Sequence, residues 1–360
     1  MRILELIPNL TTGGGEKFVI DLSNAFAEAG HECTIATLYD PSEDDVLRQY
    51  VNKHVNTLSF KKRAGADFRC MLRVAKYIKQ VKPDIVHAHL PAIMYILIAA
   101  IFCRKTKYFA TIHSEAKREA GGGLSKLIRK FLFGTGLVRA ITISEESEKS
   151  FEAFYRFPTT MIPNGSSPYT PNDKTINQFI KYRDCVDYLF LHAGRIHKVK
   201  NQLMLIEAFE KVLNKGIHAR LLIAGRVEDV NLFKQIQPHF SNNIVYIGEC
   251  PDIRAIMSIS DAFCLSSTME GMPITIIEAF SVGCIPICTP VGGCINMIKD
   301  GLNGFLSQDT QVASFASKIK EFCNLNKEEH NKIKNQCLTE FTSKYSIYNT
   351  AESYINLFLQ

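Results

Sequence analysis

Residues 262–306 read AFCLSSTMEGMPITIIEAFSVGCIPICTPVGGCINMIKDGLNGFL, and the order of residue types in this stretch decides the fold. Ala262 to Leu265 is an apolar run of strand length, residues 266–268 break it, and Glu270-Gly271-Met272-Pro273 opens a helix expected over residues 275–282. A strand that turns directly into a helix presents free backbone N–H groups at the positive end of the helix dipole, where an anion or a hydroxyl-rich ligand is favoured. Gly271 lets such a ligand come close. Glu270 and Glu278 bracket the turn, one before the helix and one about a turn inside it, so both reach one ligand only if that ligand is long.

A nucleotide sugar has that span, with hydroxyls at both ends and a diphosphate between them. Glu270 to Glu278 resembles the Glu-x7-Glu signature of retaining GT-B glycosyltransferases, and EGMPITIIEAFSVGCIPICT around it is similar to glycosyltransferase family 4. The resemblance implies that Glu270 lies by the transferred sugar, that Glu278 holds the ribose, and that Gly271, Met272, Pro273 and Ile274 line the donor. A plainer reading makes Glu278 a solvent-facing helix residue and Glu270 a charge that suits the dipole. The break from Gly283 to Pro286 and the Gly292-Gly293 turn speak against coincidence.

At 360 residues the chain suits two domains of ordinary size, and a hydrophobic fraction of 46% allows large cores. The first apolar run, residues 3–7, is short and carries Glu5, unlike a signal peptide. The longest apolar segment, residues 90–103, is too short to cross a bilayer and is expected to be a buried helix. Eleven cysteines with no Cys-x-x-Cys pair are expected as free thiols in a reducing cytoplasm. Residues 1–170 hold 23 Lys and Arg against 17 Asp and Glu, whereas 171–360 hold 19 of each, so the basic excess lies in the first half.

Along the first half, residues 3–7 are expected as a strand, Thr11-Thr12-Gly13-Gly14-Gly15-Glu16 as the loop after it, and a helix with a 3.6-residue apolar period follows. The loop lacks the Gly-x-Gly-x-x-Gly dinucleotide fingerprint. It resembles the Gly-Gly loop of family 4, which implies that Gly13, Gly14 and Gly15 lie beside the donor phosphate; a tight turn is the structural alternative. His87 and His89 alternate on a strand and share one side, and with no carboxylate near in sequence they are expected as ordinary strand-end histidines. His113, in Thr-Ile-His-Ser, matches the family position from which a histidine reaches the donor sugar; a core histidine bonded to backbone is the alternative. Residues 124–133 place Leu124, Leu127, Ile128, Phe131 and Leu132 on one face and Lys126, Arg129 and Lys130 on the other. Such a helix either binds anionic lipid or packs on its own sheet with a solvated charged face. No nucleic-acid reader motif is present.

Residues 166–174 are expected as a linker. Beyond it, LFLHAGRIHKVKNQ is a strand, a polar loop carrying Arg195 and Lys200, and a helix from Asn201. Cations at a helix N-terminus are locally unfavourable, so something anionic should meet them, and the spacing matches the family's Gly-Arg…Lys-Asn motif for the donor diphosphate. Gly248, Glu249 and Cys250 follow another strand, where family members place the nucleotide base.

The expected fold is α/β of GT-B architecture, two doubly wound Rossmann-like parallel-sheet domains facing a cleft. Their bounds are 1–168 for acceptor binding, 169–345 for donor binding, and 346–360 for a terminal helix packing back on the first domain. The expected activity is retaining glycosyl transfer from a nucleotide diphosphate sugar to a glycan or lipid-linked acceptor. His113, Glu270, Arg195 and Lys200 carry the chemistry, with no cofactor, no metal and no nucleic acid. Because relatives often carry Glu where this chain has Asn296, sugar contacts near there are not carried over. The expected location is the cytoplasm, peripheral at the inner face of the membrane. A sugar-nucleotide epimerase and a non-catalytic nucleotide-sugar binding protein are the rival readings.

Overall fold

The computed structural model describes residues 1–11 and 13–360; Thr12 of the glycine loop lies outside the described residues. The chain divides into two compact units, Met1–Ser167 with Tyr345–Gln360, and Pro168–Lys344.

The first unit holds β1 (Arg2–Ile7), β2 (Glu32–Thr37), β3 (Asn56–Ser59), β4 (Ile85–His89), β5 (Lys107–Ile112), β6 (Arg139–Thr142) and β7 (Thr160–Met161). All pair in parallel, in the order β3-β2-β1-β4-β5-β6-β7. Near-continuous apolar strands such as β1, with five of its six residues buried, are what a parallel sheet covered on both faces requires. Strand order reverses between β1 and β4, which opens a crevice outside their carboxyl ends, and the register sets Glu5 directly opposite His87. The terminal helix Ile347–Leu359 belongs to this unit: the Tyr354 hydroxyl meets Thr111 Oγ1 at 2.9 Å, and Lys107 donates to the Phe358 carbonyl.

The second unit repeats the plan with β8 (Tyr188–Ala193), β9 (Ala219–Ala224), β10 (Ile244–Gly248), β11 (Ala262–Leu265), β12 (Ile285–Cys288) and β13 (Phe305–Leu306). These are again parallel, in the order β10-β9-β8-β11-β12-β13, with the reversal between β8 and β11.

Several expectations need correction. Residues 90–103 are not one helix: Pro91 starts a 3-10 segment over Leu90–Ile96, with Leu90 at φ +55, before the short helix Leu97–Phe102. Residues 166–174 are only partly a linker, since Ser166 is fully buried and bridges Ser346, and a helix begins at Asp173. The helix Gly123–Gly134 is turned about its axis from the expected orientation: Ile128, Arg129, Leu132 and Phe133 face inward, while Leu124, Leu127 and Phe131 are exposed. Its apolar residues are too many for a single face. Arg129 turns inward with them, donating to the Leu90 carbonyl and lying 3.6 Å from the buried Glu119 carboxylate. Every cysteine is a free thiol, and most are buried.

Candidate functional site

In the second unit the chemistry-bearing side chains gather where the strand order reverses. β8 runs through Gly194-Arg195 into a 3-10 turn, Lys198–Lys200, and then into the helix Gln202–Leu213, with Asn201 in the left-handed region between them. β11 runs through Ser266–Pro273 into the helix Ile274–Ser281. The two loops are tied together, since Thr268 N donates to the Val199 carbonyl and Ser266 Oγ to the Lys200 carbonyl, each at 2.8 Å. Across that tie Lys200 Nζ lies 2.6 Å from Glu270 Oε1, which also accepts from Ser267 Oγ at 2.5 Å. Among the described residues none hydrogen-bonds Glu270 Oε2, so the carboxylate is fixed through one oxygen and leaves the other open. The helix that follows has Pro273 at its N-cap and no side chain capping it, which leaves the dipole end open.

Two glycine turns brace these loops from behind. A Cβ on Gly292, at φ +47, would lie 1.8 Å from the Glu270 carbonyl oxygen, and one on Gly293 would lie 2.3 Å from that of Gly271. The Gly293 amide donates to that same Gly271 oxygen at 2.7 Å. Gly225 does the equivalent under Gly194, where a Cβ would come within 2.0 Å of the carbonyl. Between the loops sits His192, fully buried, whose imidazole burial pushes down to about 4. A neutral ring satisfies both its contacts: Nδ1 donates to the Cys264 carbonyl at 2.9 Å, and Nε2 accepts from Gln202, which also holds the Arg195 carbonyl. His192 and Ser267 went unnoticed in the sequence. The only signal was a lone histidine inside the apolar run Leu-Phe-Leu-His-Ala.

The other expected donor residues are distributed as follows. Arg195 does not join the Lys200–Glu270 pair; its guanidinium holds both oxygens of Glu228 at 2.9 Å, in an exposed contact. Glu278 lies one turn inside its helix and is nearly buried, not solvent-facing. Gly248 ends β10 at φ +74 and accepts from the Gly225 amide, with Glu249 and Cys250 following. Burial raises the Cys250 thiol, which makes it a poor nucleophile.

In the first unit Gly13 is the N-cap of the helix Gly14–Glu28, again without a side-chain cap. The imidazole of His113 lies against this turn, 3.8 Å from where a Cβ on Gly15 would sit. The His113 and Ser114 amides both donate to Glu119, whose carboxyl burial pushes up despite the opposing Arg129. The expectation that His87 and His89 have no carboxylate partner is wrong. Glu5, distant in sequence, is brought between them by the β1–β4 pairing, 3.0 Å from His87 Nδ1 and 2.7 Å from His89 Nε2. These are hydrogen-bond lengths, shorter than the roughly 3.3 Å separating ligand atoms on a tetrahedral zinc.

A family model described as Glycosyltransferase Family 4 matches residues 12–168, and one described as Glycosyl transferases group 1 matches residues 173–337. Over 335 residues the chain is 27% identical to the Escherichia coli UDP-Gal:alpha-D-GlcNAc-diphosphoundecaprenol alpha-1,3-galactosyltransferase, covering 89% of this chain and 82% of the relative. It is 24% identical over 357 residues to a Campylobacter jejuni alpha-1,4-N-acetyl-D-galactosaminyltransferase named for a PP-undecaprenol-linked substrate, covering 94% of each. The crystal structure of Anabaena HepE in complex with UDP-glucose is similar over the full length of both chains, with a TM-score of 0.82 at 16% identity. Residues 12–168 and 173–337 thus each match a glycosyltransferase model and the fold is that of a solved glycosyltransferase, and on the family matches the chain is a glycosyltransferase of GT-B fold.

Proposed function

We propose that the protein transfers a glycosyl group from a nucleotide diphosphate sugar to an acceptor hydroxyl, with retention of configuration and without a metal ion. The observation that carries this reading is the Lys200–Glu270–Ser267 cluster on two adjacent strand-to-helix loops. A departing diphosphate needs positive charge and an oxocarbenium-like sugar needs fixed acceptors, and both lie within one hydrogen bond of each other here. Lys200 takes the leaving phosphate and Glu270 Oε2 accepts a sugar hydroxyl. Arg195 exchanges Glu228 for the diphosphate at small cost, because an exposed ion pair is worth about 0–1 kcal/mol. Glu278 binds ribose, and Gly248 to Cys250 take the base. With Oε1 held by Lys200 and Ser267 and Oε2 accepting the sugar hydroxyl, Glu270 serves as an acceptor and not as a nucleophile. As the family resemblance implies, the acceptor oxygen attacks the anomeric carbon on the face the phosphate leaves, and the acceptor proton passes to the departing phosphate oxygen.

The relatives named for undecaprenol-linked substrates suggest a lipid-linked acceptor in cell-surface polysaccharide or glycan synthesis. Among the described residues no helix is long and apolar enough to cross a membrane. The helix Gly123–Gly134 exposes Leu124, Leu127 and Phe131 along one stripe beside Lys126 and Lys130, the pattern of a helix lying in an anionic lipid interface. This pattern supports a reading in which the enzyme works peripherally on the cytoplasmic membrane face. Thermal unfolding with UDP, GDP, ADP and their sugars tests the donor site. One nucleotide series should raise Tm in the native protein and raise it less in Lys200→Met at the same concentration. A native protein stabilised by none of them contradicts the reading.

A further inference from the structure

Behind His113 the first unit buries a continuous chain of hydrogen bonds that the transfer chemistry above does not use. His113 Nε2 lies 2.9 Å from His89 Nδ1, and His89 Nε2 lies 2.7 Å from Glu5 Oε2. Glu5 also meets His87 Nδ1, and His87 Nε2 lies 2.7 Å from Thr111 Oγ1, which meets the Tyr354 hydroxyl. Glu5, His87, His89, Thr111 and Tyr354 are each fully buried.

The direction of each bond follows in order. Burial alone would raise the Glu5 carboxyl, but the charge and hydrogen bond of His87 and the hydrogen bond of His89 outweigh it and bring it to about 2. A carboxylate only accepts, so His87 Nδ1 and His89 Nε2 both carry hydrogen. Burial, and then the neighbouring His87, hold His89 down to about 4, so at neutral pH its single proton is spent on Glu5 and its Nδ1 is bare. The bond between His89 and His113 therefore needs a hydrogen on His113 Nε2. Burial, with His89 and His87 beside it, also keeps His113 well below its ordinary value, which leaves Nδ1 unprotonated. That nitrogen faces Gly15 at the uncapped start of the helix Gly14–Glu28, and no described residue donates to it.

We propose that Glu5 and His89 are positioning residues: through the chain Glu5–His89–His113 they fix His113 in its Nε2–H tautomer and present Nδ1, beside Gly15, as an acceptor for a hydroxyl of a substrate. The hydroxyl contact rests on the transfer reading given above; the tautomer does not. A ring held this way selects a ligand group that can give a hydrogen, and spends no binding energy turning the imidazole when the ligand arrives.

The test has two arms on the full-length protein. Long-range 1H–15N correlation of the imidazoles, with the His113 signals assigned by their loss in His113→Gln, should show hydrogen on Nε2 and none on Nδ1 at pH 7. A proton on Nδ1, or on both nitrogens, overturns the proposal, and this measurement on the native chain needs no variant to fold. In the second arm, Glu5→Gln and His89→Phe should lower kcat/KM for the nucleotide sugar about tenfold, the scale of one lost or misdirected hydrogen bond, with affinity for the sugar-free nucleotide unchanged. Adding Glu5→Gln to His113→Gln should cost nothing further, because the effect travels through His113. Additive losses, or equal losses for nucleotide and nucleotide sugar, mean a merely structural role and refute it. A native enzyme that turns over no nucleotide sugar fails the transfer reading and removes the hydroxyl contact, while the imidazole spectrum still decides the tautomer.

Discussion

Gly292→Ala should uncouple Glu270 from its site more sharply than its distance along the chain suggests. Two costs add at this position. At φ +47 an alanine pays about 1–2 kcal/mol for the left-handed backbone. Its Cβ would also stand 1.8 Å from the Glu270 carbonyl oxygen, a backbone atom that cannot swing aside as a long side chain can, and such overpacking costs about 1–3 kcal/mol. The expected destabilisation is their sum, about 2–5 kcal/mol. Gly301→Ala is the matched control, because Gly301 has φ +74 with nothing within 4 Å of its would-be Cβ, and should pay the backbone cost alone. Urea unfolding of both variants isolates the clash as the difference between them. Relief of the clash moves the Glu270 backbone by more than about 1 Å, and displacements of that size cost about a hundredfold in rate. Gly292→Ala should therefore lose about two orders of magnitude in transfer while Gly301→Ala stays near native. Equal stabilities for the two variants, or full activity in Gly292→Ala, would show that the turn does not hold the site loop.

Further expectations concern charge, pH and the exposed helix. Lys200→Met should weaken nucleotide diphosphate binding about tenfold or more, read by calorimetry, since a charge-assisted contact is lost; unchanged affinity places the diphosphate elsewhere. Stability should fall on acidification in two windows. His89 and His192 are depressed to about 4 from 6.5, so the native state takes up fewer protons than the unfolded chain and loses stability as pH drops from 6.5 towards 4. Glu5, depressed from 4.5 to about 2, contributes stability above 4.5 that is lost as pH falls from there towards 2. Urea midpoints that stay flat between pH 7 and 5 would contradict the neutral buried histidines. Replacing Leu124, Leu127 and Phe131 together by Ser should abolish flotation with anionic liposomes and leave the unfolding midpoint close to native, because these side chains are exposed. Arg129 is no part of that surface, and Arg129→Glu should instead unfold the helix by burying a second carboxylate beside Glu119.

What was legible in the chain was local. Residues 262–306 announce strand, turn and helix by their own periodicity, and the run from β8 through Arg195 and Lys200 does the same, because each unit is made of residues close in sequence. Contacts made by strand neighbours from distant segments were not legible. Glu5 meets His87 and His89 only because β1 and β4 pair at the point where the order reverses, and no spacing rule carries that information. Ser267 and Gly292 sit inside the stretch read first, yet their roles depend on which backbone atom faces them. The helix Gly123–Gly134 misled because its apolar residues cover more than one face, and the face that turned inward carries Arg129, buried beside a Glu119 that its spacing does not reveal.

The most direct measurement is transfer itself: native protein and Glu270→Gln, each incubated with radiolabelled nucleotide sugars and extracted membrane glycolipid, with the anomeric configuration of the new linkage read by NMR. The native chain should move label from one donor into the lipid fraction, with the donor's anomeric configuration kept, in buffer containing chelator, and Glu270→Gln should fall by orders of magnitude. Inversion at the anomeric carbon, loss of transfer in chelator, or a Glu270→Gln variant as active as the native protein would contradict the account.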